Sequence, residues 1–258
     1  MKIRKNMFEL SVCALFKNES HCIQEWLEHY LFHGVEHFYL LDDESEDDYL
    51  PIIQKYLEQG KITLIPVKWD RYLGRQKDIY THYMLPLLQE THWVFVCDLD
   101  EFLWSPKDIN LNNILKNTTH LAEIQVVQTL FGSNGHLEQP ESLVASFTKR
   151  RNCQFGTNRT CGYKYFVNSH FPFKELNVHF AIPARKEDEM DRFIILNDEY
   201  FILNHYSCQS KEHFISKCNR TDADEFKKLT IDMFPEFDIN EVEDTRLYEQ
   251  NKPLLIDK

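Results

Sequence analysis

The chain has 258 residues, 43% of them hydrophobic and 14% aromatic, which is enough for one large domain with a packed core. Its formal charge of −12 argues against a general nucleic-acid-binding protein, because neutralising phosphates requires a basic face. The seven cysteines form no CxxC pair, which disfavours a zinc ribbon or a thioredoxin-like site and fits a reducing compartment.

The first hundred residues predict a regular alternation of strands and helices. Apolar runs indicate the strands, and apolar residues at helical spacing indicate the helices, with Ser20 as a cap and Gly34 as a terminator. The predicted order is a strand over 8–16, a helix over 20–33, a strand over 35–41, a helix over 49–58, a strand over 62–67, a helix over 75–89 and a strand over 93–97. This order predicts an α/β domain with a mostly parallel central sheet. The chain has neither a GxGxxG loop after the first strand nor a GxxxxGK[ST] motif, so hydride-transfer dinucleotide folds and P-loop folds are disfavoured.

The pattern is less regular after residue 105. It predicts a short helix over 110–115, a strand over 122–130, a strand over 199–203 and a helix over 209–219. Between them lies a basic cluster, which is either a solvated face or a contact for an anionic ligand. Its members are Lys149, Arg150, Arg151, Arg159 and Lys164.

Three of the predicted strands lead into loops that carry acids. Glu19 follows the first strand, Asp43 follows the second, and Asp98 and Asp100 follow the fourth, with Glu101 next in the chain. Because the carboxyl ends of parallel strands meet at one edge of a sheet, these acids are expected on one rim, where open α/β folds bind ligands. On an extended backbone Asp98 and Asp100 project to the same side, which predicts a divalent-metal site for a phosphate-bearing substrate. The alternative is an acidic turn without a metal.

The ordered motifs resemble glycosyltransferase family 92, within the wider family-2-like GT-A group. The resemblance runs from about residue 8 to 220 and rests on KNE at 17–19, WLEH at 26–29, GVEHFY at 34–39, the acidic run at 42–47, DLDEF at 98–102, FGSNGH at 131–136 and NHY at 204–206. It implies a single GT-A (Rossmann-like) α/β domain that transfers a sugar from a nucleotide-sugar, typically UDP-linked, with inversion. Galactose is one candidate for that sugar.

The resemblance also implies roles for individual residues. Glu19 and Asp43 would contact the uridine, with Gln76 or Lys77 nearby. Asp98 and Asp100 would form a DxD motif that holds Mn²⁺ or Mg²⁺, with Asp98 also at the nucleotide-sugar and Asp100 the more direct metal ligand. A histidine from the second half would complete the metal site, and His205 is preferred to His179.

The acceptor side of the reaction is less defined. Inversion requires a base opposite the leaving group, which takes the proton of the acceptor hydroxyl. The candidates are Glu138, Asp198 and, in third place, Glu141. The predicted organisation is a nucleotide-sugar-binding half over 1–105, an acceptor-side and metal-completing half over 106–225, and an acidic, partly helical tail over 226–258.

Two other functions fit parts of the pattern. A nucleotidyltransferase acting on a sugar phosphate also binds a nucleotide and a metal, but the segment 16–19 lacks the glycine-rich basic loop that it requires. A catalytically inactive sugar-binding relative is the second alternative. The chain shows no signal-peptide core and no apolar run of about 20 residues, so we expect a cytoplasmic protein without a transmembrane segment, with peripheral membrane association left open. The expected acceptor is a glycan or polysaccharide.

Overall fold

Four parallel strands form the first half of the central sheet. They are β1 (Phe8–Phe16), β2 (His37–Asp42), β3 (Ile62–Pro66) and β4 (Thr91–Val96), in the spatial order β3-β2-β1-β4. The computed structural model describes residues 7–152, 162–187, 191–195, 199–219 and 229–256. Within them, helix α1 (Ile23–Phe32) connects β1 to β2, and helix α2 (Tyr49–Glu58) connects β2 to β3. The predicted α/β alternation with a mostly parallel sheet is therefore confirmed.

The second half continues the same sheet with strands of both directions. The further elements are β5 (Glu101–Trp104), β6 (Glu123–Leu130), β7 (Lys149–Arg150), β8 (Tyr163–Asn168), β9 (Phe173–Leu176), β10 (Ala181–Pro183), β11 (Arg192–Ile195) and β12 (Ile202–His205). The sheet order runs on from β4 as β8-β6-β12-β5, and β11 also pairs with β6. Strand β8 is antiparallel to both β4 and β6, so β6 runs in the direction of β4. Strand β12 is parallel to β6 and β5 is antiparallel to β12.

Two apolar layers enclose the sheet. Helices α1 and α2 cover one face with Trp26, Tyr30 and Ile53, all fully buried. The other face is covered by the segment 75–90, in which Ile79 and Met84 are fully buried. A single helix is predicted for 75–89, but the structure divides it into α3 (Arg75–Ile79), a π-helical turn (Tyr80–Met84) and a 3₁₀ turn (Leu85–Glu90). Pro86 lies in the first turn of the 3₁₀ segment, where its missing N–H and its ring prevent continuation of an α-helix.

Other element boundaries differ locally from the prediction. Helix α1 begins at Ile23, with Cys22 and not the predicted Ser20 at its N-cap position. The backbone N–H of Ser20 instead donates to Asp47 Oδ2 at 2.7 Å. The predicted strand over 199–203 is observed at Ile202–His205, which places His205 at its carboxyl end. Strand β5 is not predicted from the sequence. It has four residues, and the first of them, Glu101, is the last acid of the 98–101 turn.

The remaining helices are short or C-terminal. They are α4 (Leu111–Leu115), α5 (Leu143–Ser146), α6 (Lys211–Asn219), α7 (Phe234–Phe237) and α8 (Arg246–Ile256), with β13 (Val242–Glu243) before α8.

The described C-terminal segment, 229–256, packs on the domain. Strand β13 pairs with β7, and Asn251 of α8 is 3% exposed. Asn251 Oδ1 lies 3.0 Å from His33 Nε2, and its Nδ2 lies 2.9 Å from His29 Nδ1. The described segment contains α7 and α8, and these contacts join it to α1.

Asp244 anchors this segment, and we expect the anchor to be acid-sensitive. Burial would raise the pKa of Asp244, but hydrogen bonds from Arg246 and Arg150 (2.6 and 2.7 Å) lower it to about 2. A carboxylate whose folded pKa is depressed stabilises the protein above its unfolded pKa and loses that effect as pH falls toward the folded pKa. The expected contribution is about 2 kcal/mol at pH 7 and about half of that at pH 3. Asp244→Asn should therefore lower the free energy of unfolding by about 2 kcal/mol at pH 7 and by clearly less at pH 3, measured by urea unfolding.

The matched control is Glu243→Gln, an exposed acid next in the chain. It should leave both values unchanged. An equal loss for Asp244→Asn at the two pH values would contradict the prediction.

Candidate active site

Strand direction explains why one rim of the sheet collects the charged residues. The parallel strands β1, β2 and β4 end at this rim, and each is followed by an acid: Glu19, Asp43 and Asp98. Strand β12 runs the same way, so His205 also lies at the rim. The antiparallel strands β5 and β8 begin there, which brings in Glu101 and Lys164. The predicted clustering of the three acidic loops is thus observed, together with cations from the second half of the chain.

Helix α1 holds the acidic turn in place. The indole Nε1–H of Trp26 donates to the carbonyl oxygens of Asp98 and Glu101, both at 3.1 Å. The hydroxyl of Tyr30 donates to the carbonyl oxygen of Glu101 at 3.0 Å, and His29 Nε2 lies 2.8 Å from the carbonyl oxygen of Leu103. The WLEH motif at 26–29 therefore positions the backbone of the turn and does not itself face a ligand.

The prediction for the side chains of Asp98 and Asp100 depends on the shape of the backbone after β4. It assumed an extended backbone, but the chain leaves β4 after Val96 and turns, with Glu101 N donating to the carbonyl oxygen of Asp98 at 3.2 Å. Asp98 Oδ2 pairs with Lys164 Nζ at 2.8 Å, whereas Asp100 Oδ2 pairs with Lys217 Nζ at 3.1 Å. The two carboxylates consequently have different cationic partners.

Asp100 is the better-buried carboxylate and lies against His205. Its Oδ1 is 3.5 Å from His205 Nε2, and the residue is 8% exposed, while the Asp98 side chain is 42% exposed. His205 Nδ1 is buried and has no hydrogen-bond partner among the described residues. Of the predicted metal ligands, Asp100 and His205 lie against each other, and Asp98 pairs with Lys164.

Electrostatic interactions shift the pKa values of both residues of this pair. Burial would raise the pKa of Asp100, but Lys217 and His205 hold it well below its usual range. Burial would lower the pKa of His205, but Asp100 raises it above its ordinary value. Asp100 is therefore ionised, which suits a residue that binds a cation.

Glu101 supports the turn from inside. It is fully buried, accepts the backbone N–H of Asp98 at 2.8 Å, and accepts a hydrogen bond from Gln128 Nε2. Burial raises the pKa of Glu101 to about 7, opposed by Lys164 at 3.6 Å. Because no part of its side chain is exposed, we assign Glu101 a structural role in the turn.

Asp43 is engaged by two arginines. Its carboxylate receives two hydrogen bonds from Arg75, both at 2.8 Å, and a third from Arg71 at 2.9 Å. Burial would raise the pKa of Asp43, but Arg75 lowers it. Gln76 and Lys77, predicted near the uridine, follow Arg75 in α3: Gln76 is partly exposed, and Lys77 Nζ is 3.6 Å from Glu175. Asp43 thus lies at the rim with its carboxylate held in place by Arg75 and Arg71.

The structure describes two of the three candidates for the catalytic base. Glu138 and Glu141 are both exposed, in the loop between β6 and α5. The loop is tied to the start of α6, since Glu212 N donates to the carbonyl oxygen of Leu137 at 3.0 Å. Asp198 lies outside the described residues. His179 is exposed, and its Nδ1 lies 2.8 Å from the carbonyl oxygen of Tyr163, so it contacts none of these acids.

The sequence did not predict the three cationic side chains that pair with Asp98, Asp100 and Asp43. Lys164 belongs to the predicted basic cluster. Among the described members of that cluster, Lys164 contacts an acid of the rim, Asp98, whereas Arg150 pairs with Asp244. Lys217 carries no motif that could have identified it. Arg75 had a signal, since it lies four residues before the buried Ile79 and so on the buried face of α3.

Comparisons with known proteins agree with this architecture. A glycosyltransferase family 92 protein of Ricinus communis is 26% identical over 147 residues, which is 55% of this chain and 26% of that protein. One of Oryza sativa subsp. japonica is 22% identical over 146 residues, covering 55% and 25%. The chain therefore spans about a quarter of the length of these relatives. Among solved structures, S. aureus TarS 1–349 in complex with UDP-GlcNAc matches with a TM-score of 0.43 and 13% identity, over 89% of this chain and 70% of that one.

The mostly parallel α/β sheet and its acidic rim define a chain of the GT-A class. Within that class, the chain belongs to glycosyltransferase family 92, whose model matches residues 6–245. Across the described residues, every helix is too short or too polar to cross a bilayer.

Proposed function

We propose that this protein transfers a sugar from a UDP-sugar to a hydroxyl group of a glycan or polysaccharide, with inversion and with Mn²⁺ or Mg²⁺ present. The observation that carries the proposal is the single rim on which Glu19, Asp43 and the 98–101 turn meet His205, in a chain of family 92. Galactose is one candidate for the transferred sugar. Glu19 and Asp43 bind the nucleoside in this proposal.

The residues present fit a divalent cation. A carboxylate oxygen and an imidazole nitrogen 3.5 Å apart, Asp100 Oδ1 and His205 Nε2, are ligands that Mn²⁺ accepts, and the remaining positions are left to phosphate oxygens and water. Asp98 joins the site if its Oδ1 turns toward the ion while Oδ2 stays on Lys164. When bound, the ion would offset the charge that develops on the departing UDP.

The other groups of the chain bind, orient and move a proton. Lys164 is 1% exposed in its side chain and fixes Asp98 against the buried Glu101, so the turn keeps its shape whether or not a ligand is present. Lys217 lies on Asp100 Oδ2 and adds positive charge beside the expected diphosphate. The base accepts the proton of the acceptor hydroxyl as the new bond forms. We assign this role to Glu138 ahead of Glu141 and Asp198, because Glu138 directly follows Leu137, whose carbonyl oxygen accepts from Glu212 N in α6, the helix of Lys217.

A donor screen tests the proposal directly. The melting temperature of the full chain is measured with UDP-galactose, UDP-glucose and UDP-GlcNAc, each with Mn²⁺ and with a chelator. A ligand at about 100 times its dissociation constant stabilises by about 2.7 kcal/mol. That stabilisation raises the melting temperature by roughly 5–10 °C for a chain of this size.

We expect one UDP-sugar to raise the melting temperature only when Mn²⁺ is present. The same UDP-sugar should release UDP when an acceptor or water is supplied. GDP-mannose is the matched control for recognition of the uracil ring and should not raise the melting temperature. Equal stabilisation in chelator would overturn the metal requirement. Binding of the donor without release of UDP in any acceptor mixture would overturn transfer.

A further inference from the structure

A second group of metal-binding atoms lies directly after β1, apart from the Asp100–His205 pair. Glu19 Oε2 is 3.7 Å from His21 Nδ1 and 3.6 Å from Cys22 Sγ. All three ligand atoms lie within 4.8 Å of one another. The proposed transfer reaction uses only Glu19 of these three residues.

The spacing of these atoms matches one coordination sphere. Zinc binds sulfur at about 2.3 Å and nitrogen or oxygen at about 2.0–2.2 Å, so tetrahedral ligands lie about 3.3–3.6 Å from each other. The two observed separations, 3.6 and 3.7 Å, are within a few tenths of an ångström of those values. The third separation, between His21 Nδ1 and Cys22 Sγ, is within 4.8 Å, so side-chain movements of about 1 Å or less close the three atoms on one ion.

A hydrogen-bond chain fixes the tautomer of His21. The backbone N–H and the hydroxyl of Ser210 both donate to Gln139 Oε1, at 3.4 and 2.8 Å, which identifies that atom as the oxygen. Gln139 Nε2 then donates to Gln209 Oε1 at 2.8 Å, so the atom that faces His21 is also an oxygen. His21 Nε2, 3.0 Å from Gln209 Oε1, must carry the hydrogen. In the neutral ring Nδ1 then presents its lone pair toward Glu19, the arrangement that metal-ligating histidines adopt.

The surroundings favour a soft ion and provide a way in. Cys22 is 1% exposed, and its sulfur faces the carbonyl oxygen of Leu99 at 3.7 Å as well as Glu19. His21 is 24% exposed in its side chain and forms part of the wall of a polar cavity of about 530 Å³ that also includes Asp47 and His213. A thiolate selects Zn²⁺ over the hard ions Mg²⁺ and Mn²⁺.

We propose that Glu19 Oε2, His21 Nδ1 and Cys22 Sγ form a binding site for a thiophilic divalent cation of the zinc class. Water from the cavity completes the fourth position of the tetrahedron. On binding, the thiol of Cys22 loses its proton to solvent as the metal–sulfur bond forms. The metal would tie the loop after β1 to Gln209 and so to the segment that leads into α6.

Cobalt tests the site, because Co²⁺ accepts the zinc geometry and reports a thiolate ligand by its charge-transfer absorption. The reduced full chain is titrated with Co²⁺ without nucleotide, since Glu19 is shared with the donor loop. We expect one equivalent of Co²⁺ to produce the thiolate charge-transfer band and one equivalent of Zn²⁺ to abolish it. Cys22→Ser should remove the band, and His21→Asn should weaken Co²⁺ binding by more than about tenfold.

Cys218→Ser is the matched control, because Cys218 is the most exposed of the cysteines in the described part of the chain. It should keep the band unchanged. If Cys22→Ser does not fold, the His21→Asn titration decides alone, because His21 is partly exposed and its replacement leaves the core intact. No charge-transfer band in the wild-type chain, a band that persists in Cys22→Ser, or unchanged affinity in His21→Asn would each overturn the site. None of these readouts involves a UDP-sugar, so they are independent of the transfer activity.

Discussion

Asp100→Asn should lower the rate of sugar transfer by about 10²–10³-fold, the usual cost of losing one group that stabilises developing charge. Asp100 is the rim carboxylate that lies on both His205 and Lys217, and their positive charges hold its pKa low so that it stays ionised. Asparagine keeps its shape and removes the charge. The measurement is the initial rate of UDP release across a Mn²⁺ titration, and the Mn²⁺ concentration for half-maximal rate should rise as well.

Two companion variants separate a metal role from a structural one. Asp48→Asn changes an exposed acid near the same rim and should leave the rate unchanged. Lys217→Met removes the amine that lies 3.1 Å from Asp100 Oδ2, so Mn²⁺ should bind this variant more tightly in a direct binding measurement, by about tenfold if the lost contact is worth about 1.4 kcal/mol. The metal assignment fails if Asp100→Asn, folded by circular dichroism, binds Mn²⁺ as the wild-type chain does.

The rim itself was predictable because it depends only on the order of elements. Strands that alternate with helices run parallel, so Glu19, Asp43 and Asp98 had to emerge at one edge once the alternation over 8–97 was recognised. His205 was predicted by its motif, and the structure places it at this edge because β12 runs parallel to β6. These inferences need the direction of each strand but no detail of side-chain packing.

The partners of the acids were not predictable from the same signals. Lys164 reaches Asp98 because β8 is antiparallel and begins at the rim, and nothing in its local pattern states that direction. Lys217 comes from α6, more than a hundred residues after Asp100. Asp98 and Asp100 lie on a turn that Trp26 holds through two carbonyl oxygens, which is a tertiary contact.

The fixed carboxylate of Asp43 leads to the second large prediction, which concerns stability. Arg75 is fully buried and the Asp43 side chain is 4% exposed, so this ion pair is shielded from water. Asp43→Asn leaves the guanidinium of Arg75 buried without its counter-ion, a change that typically costs about 3–5 kcal/mol. Urea unfolding at pH 7 should show this loss in the free energy of unfolding.

The double variant Asp43→Leu/Arg75→Met distinguishes a buried charge from lost packing. It removes both ions, so we expect it to lose less than Asp43→Asn alone, because replacing a buried pair by apolar residues is often close to neutral. Arg71 still contributes a third hydrogen bond to Asp43 in the wild type, and its side chain is 20% exposed, so Arg71→Met serves as the control and should cost about 1 kcal/mol or less. A double variant as unstable as the sum of its two single variants would show that the pair is not coupled. In that case Asp43 would be held at the rim by Arg71 and the backbone of β2, and its orientation toward the nucleoside would not depend on Arg75.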